Sequence, residues 1–157
     1  MPQSNFERMI RLAEDSFAAR KDPEQLDVDE EVISRLQQLH PSTVSEYDDN
    51  GPVVWILLIP TTTELMQKFL KKEISEKELF YLTNIGEKCD AIYLCSAMVL
   101  PEYRRRGIAK RLTVEAIQNI CKDHKIKDLF VWPFSKEGEM LSEEIAKLCN
   151  LKLAKRS

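Results

Sequence analysis

The sequence has no apolar run that approaches the roughly 20 residues needed to cross a bilayer. Its longest apolar run, residues 53–59, has only the length of a strand. The N-terminus also lacks a basic segment leading into an apolar one, which is the pattern of an export signal. We therefore expect a cytoplasmic protein with no membrane partner.

An excess of positive charge and the spacings of a metal site are missing as well. Lys and Arg total 23 against 26 Asp and Glu, and the resulting formal net charge of −3 argues against a general affinity for nucleic acid. The four cysteines form no Cys-x-x-Cys pair, and His40 and His124 are the two histidines. These spacings predict no zinc site, and we expect reduced, mostly buried thiols.

The composition is that of a globular protein, with 43% hydrophobic and 31% charged residues. The length of 157 residues fits one compact domain spanning residues 1–157. Its first 40 residues are predicted to be helical. A capping box of Ser4 and Glu7 opens the first helix, and Asp22-Pro23 restarts the chain. Apolar residues then recur at helical spacing in two stripes: Phe6, Met9, Ile10, Ala13 and Phe17, followed by Val32, Ile33, Leu36 and Leu39.

The rest of the chain alternates between predicted strands and helices. Strands are expected at 43–47, 53–59, 92–100, 129–132 and 151–153, with a hairpin turn at Asp49-Asn50-Gly51. Helices are expected at 61–70, 75–82 (stopped by Gly86), 107–124 and 136–149. Strand–helix–strand order implies parallel pairing with right-handed crossovers. We therefore predict an α/β fold with a mixed sheet covered by helices.

The segment between the third strand and its following helix predicts an anion site. Pro101 stops the strand, and Gly107 allows a tight turn because it carries no side chain. The first N–H groups of the next helix have no partner within the helix and attract negative charge. Arginines at 104, 105 and 106 add positive charge at the rim. This arrangement is suited to a pyrophosphate.

This segment resembles a known signature. Arg104-x-x-Gly107-x-Ala109 is similar to the Arg/Gln-x-x-Gly-x-Gly/Ala motif of the GNAT superfamily of N-acetyltransferases, and Val99-x-Pro101-Glu102-Tyr103 is similar to that family's approach to the motif. The resemblance covers residues 92–109 well and extends loosely to 151. It implies a GNAT-like acyl-CoA N-acyltransferase fold, with N-terminal helices and a helical insertion at 61–86 before the cofactor-binding strand. The implied activity is transfer of an acetyl group from acetyl-CoA to an amine.

The resemblance also implies which residues bind acetyl-CoA. Backbone N–H groups from Arg105 through Lys110 are expected to hold the pyrophosphate, and the strand at 97–99 to pair with the pantetheine arm. That strand is expected to diverge from its neighbour after Leu129, and an N–H near Val99 or Leu100 to stabilise the developing oxyanion. The predicted cofactor-binding set is Ala97, Met98, Val99, Arg104, Arg105, Arg106, Gly107, Ile108, Ala109 and Lys110.

No catalytic side chain is predicted. Cys95 and Ser96 stand where many family members have a glutamate base, and Ala146 stands where many have a tyrosine acid. We expect an ordered water to take the proton from the amine. Tyr93 is interpreted as a packing residue like Cys95 and Ser96, and both histidines as structural residues at helix ends.

Several alternatives remain open from the sequence alone. The acceptor is either a small-molecule amine or a peptide amine, and the resemblance is compatible with a homodimer. The absence of the family's glutamate and tyrosine is the basis for one alternative, a non-catalytic acyl-CoA-binding sensor or scaffold module. Another is nucleic-acid binding through the arginine run, which the acidic composition opposes. Ser135 is interpreted as a helix cap, with a pantetheine contact as its alternative.

Overall fold

The computed structural model describes residues 3–20, 24–26 and 28–157. Within these residues the chain forms six α-helices and one mixed sheet of five strands. The helices are α1 (Asn5–Arg20), α2 (Glu30–Leu39), α3 (Thr63–Leu70), α4 (Glu76–Leu82), α5 (Ile108–Asp123) and α6 (Lys136–Cys149). The strands are β1 (Val44–Asp48), β2 (Pro52–Thr61), β3 (Ala91–Val99), β4 (Asp128–Val131) and β5 (Lys152–Lys155).

The sheet has the strand order β1-β2-β3-β4-β5. β1 and β2 form an antiparallel hairpin whose turn contains Asn50 and Gly51 at φ of 56° and 102°. β2 and β3 are also antiparallel, whereas β3 with β4 and β4 with β5 are parallel. The parallel pairing predicted from the strand–helix–strand order is therefore confirmed, and the fold is α/β with a mixed sheet.

Each face of the sheet carries its own core. The first cluster packs β2 and β3 against α1, α5 and α6, with Met9, Ile117 and Ile145 among its members. The second packs the opposite face against α2, α3 and α4, and includes Leu36 and Phe69. β2 contributes to both clusters, so this apolar strand is buried on both faces.

The N-terminal helices begin at side-chain caps. The Ser4 hydroxyl accepts a hydrogen bond from the Glu7 N–H at 3.1 Å, and Asp29 caps α2 by accepting from the Val32 N–H at 2.9 Å. α2 ends at Leu39, two residues before Pro41. The predicted restart at Asp22-Pro23 lies outside the described residues.

The helical insertion between β2 and β3 consists of α3 and α4. The predicted capping box at Ser75 and Glu78 is present, with both reciprocal hydrogen bonds. The predicted stop at Gly86 is wrong, because α4 ends at Leu82. There the Thr83 hydroxyl donates to the Leu79 carbonyl at 2.8 Å, so the last turn of the helix is capped before the chain reaches Gly86. Thr61, expected to begin α3, belongs to β2.

A buried carboxylate fixes the insertion to the sheet. Glu76, in the first turn of α4, is 2% exposed. Its carboxylate accepts a hydrogen bond from the Leu26 N–H at 2.6 Å and another from the Tyr93 hydroxyl at 2.5 Å. Tyr93 is therefore a packing and hydrogen-bonding residue between β3 and α4, as interpreted from the sequence.

Both histidines connect helix ends to neighbouring segments. His40 Nδ1 accepts from the Ser42 N–H at 3.0 Å, and its Nε2 lies 2.7 Å from an Asp123 carboxylate oxygen. His124 Nδ1 accepts from the Cys89 N–H at 3.1 Å. These contacts confirm the structural interpretation of the two residues. Among the described residues, no group of His, Cys, Asp and Glu is placed to hold a metal ion, and none of their helices is long and apolar enough to cross a membrane.

Candidate ligand-binding cleft

A cleft of about 660 Å³ lies between the end of β3, the start of α5 and the first half of α6. It brings together all of the predicted cofactor-binding residues except Arg106. Arg106 instead packs its guanidinium over the Tyr103 ring, 5.1 Å from the ring centroid. The facing wall, which the sequence did not predict, includes Glu137, Leu141 and Glu144.

The N-terminus of α5 opens into this cleft without a side-chain cap. Gly107 occupies the N-cap position at φ 76°, and Arg105 has a φ of 62°. The first hydrogen bond of the helix runs from the Arg111 N–H to the Gly107 carbonyl at 3.0 Å. The N–H groups of residues 108–110 precede that bond, so they are the free donors of this helix end. Together with the positive helix dipole, they make this helix end suited to an anion.

Gly107 leaves room at this helix end. A Cβ added there meets no atom within 4 Å, and the positive φ is one that L side chains rarely adopt. The turn therefore depends on glycine for its backbone conformation, and the space beside it stays open to a ligand.

Two ion pairs span the cleft. Arg105 Nη2 lies 4.0 Å from Glu137 Oε1, and Lys110 Nζ lies 3.3 Å from Glu144 Oε2. The first pair is about nine-tenths exposed on both sides, so solvent screening leaves it little strength. An anion that enters the cleft therefore competes with Glu144 for Lys110 more than with Glu137 for Arg105.

The loop before α5 is fastened by three side-chain contacts. Arg8 on α1 makes a bidentate pair with Glu102, with both N···O distances at 2.7 Å. The Tyr103 hydroxyl donates to an Asp49 carboxylate at 2.5 Å, which raises the pKa of Tyr103. Arg104 Nε donates to the Val99 carbonyl at 3.1 Å. The loop is thus held between the β1–β2 turn, α1 and the end of β3.

The Arg8–Glu102 pair predicts a pH-dependent contribution to stability. The hydrogen bonds from Arg8 lower the pKa of Glu102 from 4.5 to about 2. A depressed carboxyl pKa stabilises the fold above the unfolded pKa, and that contribution is lost as the pH falls through the folded pKa. We expect the free energy of unfolding of Glu102→Gln to lie below that of wild type at pH 7, with the difference shrinking between pH 4.5 and 2.

Urea unfolding at a series of pH values measures this difference. Glu115→Gln, the same change at an exposed position on α5, is the matched control and is expected to show little pH-dependent difference from wild type. A Glu102→Gln difference that stays constant from pH 7 to pH 2 would contradict the pairing.

The cleft continues into a gap between β3 and β4. The two strands pair only at Ala91 with Asp128, Ile92 with Leu129 and Tyr93 with Phe130. β3 then runs on beside β2 as far as Val99, whereas β4 ends at Val131. The expected divergence after Leu129 is confirmed to within one residue. The resulting gap of about 160 Å³ shares Ala97, Ser135, Gly138 and Leu141 with the cleft.

The backbone of β3 presents alternate residues to the gap. The Leu100 N–H donates to the Val53 carbonyl at 3.0 Å, so it faces β2. Because peptide groups alternate along an antiparallel strand, Met98 also faces β2, and Ala97 and Val99 face the gap. Two expectations change as a result. The Met98 backbone is not available to pair with a ligand, and the Leu100 N–H is not a free oxyanion donor.

The gap is lined mainly by apolar groups. Cys95 is the extra residue of a β-bulge, because adjacent Leu57 and Leu58 face Ser96 and Leu94. Val131, Trp132 and Phe134 follow along the β4 side. The described lining contains no carboxylate, imidazole or amine. The hydroxyls of Thr113 and Ser142 donate to carbonyls of their own helices, at 2.7 and 2.9 Å.

Ser135 links the gap to the start of α6. Its hydroxyl accepts from the Gly138 N–H at 3.0 Å, which confirms the predicted helix cap. Ser135 also lines both the cleft and the gap. The alternative interpretation of this residue, a contact with pantetheine, is therefore compatible with its position.

Comparison with protein-family models and with curated proteins finds no match to the sequence. A functional assignment therefore depends on the geometry of the cleft and the gap together with the motif at residues 104–109.

Proposed function

We propose that the protein is an acetyl-CoA-dependent N-acetyltransferase with a GNAT-like fold. The observation that supports this most is the continuity of two features. An uncapped helix N-terminus with a glycine turn opens into a cleft, and that cleft runs into a gap between two diverging parallel strands. The first feature suits a pyrophosphate, and the second suits a narrow, flexible arm with amide groups.

The residues present fit acetyl-CoA. The N–H groups of Ile108, Ala109 and Lys110 would hold the pyrophosphate, with Arg105 and the Lys110 side chain neutralising its charge. The Ala97 carbonyl and the Val99 N–H point away from β2 and would pair with the pantetheine amides as an added strand does, whereas the Val99 carbonyl already accepts from Arg104. The combined volume is within the usual range for ligand pockets, roughly 300–1,000 Å³.

The chain contributes chiefly position and a dry environment to the reaction. Bound acetyl-CoA would supply an acetyl group activated as a thioester. Direct attack by an amine held beside it would form the C–N bond of the amide, break the C–S bond and release coenzyme A as a thiolate. Ala97 is the residue of β3 that lines the gap and turns its backbone away from β2, so its N–H is the donor placed to stabilise negative charge on the carbonyl oxygen. The apolar walls from Trp132 and Phe134 would exclude bulk water. Since no side-chain base lines the gap among the described residues, a single ordered water molecule would pass the amine proton to the leaving thiolate.

The same lack of a base favours a second candidate, a non-catalytic acyl-CoA-binding module. Release of free thiol from acetyl-CoA in the presence of a panel of primary amines separates the two. Multiple turnovers with any amine exclude the binding module. Acetyl-CoA binding without turnover across the panel supports it and contradicts the transferase.

Lys110 and its partner predict a tighter-binding variant. Glu144→Gln removes the carboxylate that competes with an anion for Lys110. Since exposed ion pairs contribute about 0.2–1 kcal/mol, we expect acetyl-CoA affinity to rise about two- to fivefold. Calorimetric titration measures the change. Glu143→Gln is the matched control because Glu143 pairs with Lys155, outside the cleft lining. Equal affinities for the two variants would contradict the competition.

A further inference from the structure

The second residue from the end of the chain carries a buried charge. Arg156 is 2% exposed, and its backbone N–H donates to the Val131 carbonyl at 2.9 Å. Its guanidinium carbon lies 4.5 Å from the Phe69 ring centroid and 4.4 Å from the Trp132 ring centroid. Both contacts are within the range of cation–π interactions.

The hydrogen bonds of this guanidinium are incomplete. Nη2 contacts the Glu24 carboxylate at 3.1 Å and the Ile74 carbonyl at 3.4 Å. Among the described residues, neither Nε nor Nη1 of Arg156 has a hydrogen-bond partner. A guanidinium binds a carboxylate through two adjacent nitrogens, either Nε with Nη2 or Nη1 with Nη2. In Arg156 each of these pairs contains one nitrogen without a partner among the described residues, Nε in the first and Nη1 in the second. Buried charges are normally fully hydrogen-bonded, so this one is suited to accept another anion.

Arg156 lies beside the gap on the face opposite to α5 and α6. Trp132 belongs to the α2–α4 cluster and also lines the gap, so the indole ring that contacts the guanidinium forms part of the gap wall. The Phe134 ring, another part of that wall, lies 4.6 Å from the Trp132 ring. If acetyl-CoA enters the gap from the side of α5 and α6, the side lined by Trp132 remains open for the acceptor amine.

We propose that Arg156 binds the carboxylate of the acceptor, which makes the acceptor an amino acid or a similar molecule that carries both an amine and a carboxylate. This proposal rests on the proposed transferase function for the reaction and adds the class of acceptor. The amine reaches the thioester in the gap while the carboxylate lies beyond Trp132, on the guanidinium.

Glu24 is the internal competitor of such an acceptor. Its side chain is 44% exposed, whereas the Arg156 side chain is 1% exposed, so the carboxylate is the displaceable member of the pair. The acceptor carboxylate would replace the Glu24 oxygen on Nη2 and add a contact to Nε or Nη1. Glu24→Gln is therefore expected to favour the acceptor.

The test compares unbranched ω-amino acids of two to six carbons with their amides. Each pair has the same amine and differs in the carboxylate. We expect wild type to acetylate at least one acid with a kcat/KM about tenfold or more above that of its amide, since a hydrogen bond to a charged group is worth about 1.5–3 kcal/mol. Arg156→Gln should bring the ratio of kcat/KM for the acid to kcat/KM for the amide, both measured on that variant, close to one, and Glu24→Gln should lower the KM of the acid. Lys152→Gln, an exposed change on β5, should match wild type.

Equal use of acid and amide by wild type across the series would overturn the proposal, and so would a preference that survives in Arg156→Gln. If no amine in the series is acetylated, the proposed transferase function fails for these acceptors. A binding measurement then tests the role of Arg156 separately. The arginine Nε–H signals in ¹⁵N-correlated NMR, assigned by the signal missing from Arg156→Gln, report it directly. A shift of that signal with the acids and not with the amides supports the anion site, and no shift with either overturns it.

Discussion

Replacing Gly107 with glutamate is expected to abolish acetyl-CoA binding while leaving the protein folded. The Cβ of the new side chain meets no atom of the described residues within 4 Å, and Gly107 lines the cleft, so the side chain has room to extend into it beside the N-terminus of α5. Its carboxylate would stand where the pyrophosphate binds. Two unit charges about 4 Å apart repel by about 4 kcal/mol at a protein surface, so we expect affinity to fall at least about 100-fold. Calorimetric titration with acetyl-CoA measures the loss.

The chain offers a matched control for this variant at Gly86. That glycine has φ +85°, is exposed, and likewise has no atom within 4 Å of an added Cβ, but it does not line the cleft. Gly86→Glu therefore adds the same charge with the same backbone strain, about 1–2 kcal/mol. Equal binding by Gly107→Glu and Gly86→Glu would show that the start of α5 is not the anion site. Loss in both would point to strain instead of charge.

Filling the gap between β3 and β4 is expected to have the second large effect. Ser142 is 6% exposed on α6 and lines the gap, so Ser142→Phe places an aromatic ring in a space of about 160 Å³. The thioester could no longer reach its position. Because small misplacements of reacting groups cost about 100-fold, we expect turnover to fall by about that factor or more.

Two measurements distinguish this block from general damage. Ser142→Ala removes the hydroxyl that donates to the Gly138 carbonyl but fills nothing, so it should keep most of the turnover. Adenosine 3′,5′-bisphosphate, which lacks the pantetheine arm, should bind to Ser142→Phe and wild type equally. Full turnover by Ser142→Phe would show that the thioester does not lie in the gap.

The turn and the helix start that form the candidate anion site were predictable because their signal is local. A strand, a proline stop, a glycine and a helix follow one another within residues 92–124, and each constrains the backbone of its neighbours. Parallel pairing in the second half of the chain was predictable for a similar reason, since it follows from the alternation of strands and helices. Boundaries moved by one or two residues, as they do wherever helix ends tighten or fray.

The facing wall was not predictable because its signal is common. Glu137 lies in the first turn of α6, where acidic residues favour the helix dipole in any protein. Glu144 lies about two turns further along α6, where a charged residue is typical of an ordinary exposed helix face. Arg156 was missed because an arginine side chain is almost never fully buried unless it is paired. Its burial depends on Phe69 from the insertion and Trp132 after β4, which the sequence does not bring together.

The buried bonds of Glu76 bear on how a molecule would enter from the α4 side. A helix tied to the sheet through Tyr93, and to a preceding segment through the Leu26 N–H, is already ordered before anything binds. Ordering a flexible segment on binding normally lowers affinity, and α4, which is already held in place, does not add that cost. Selectivity on this side would then come from complementary shape and charge in the resting protein, and a poor ligand would gain little from rearrangement of α4.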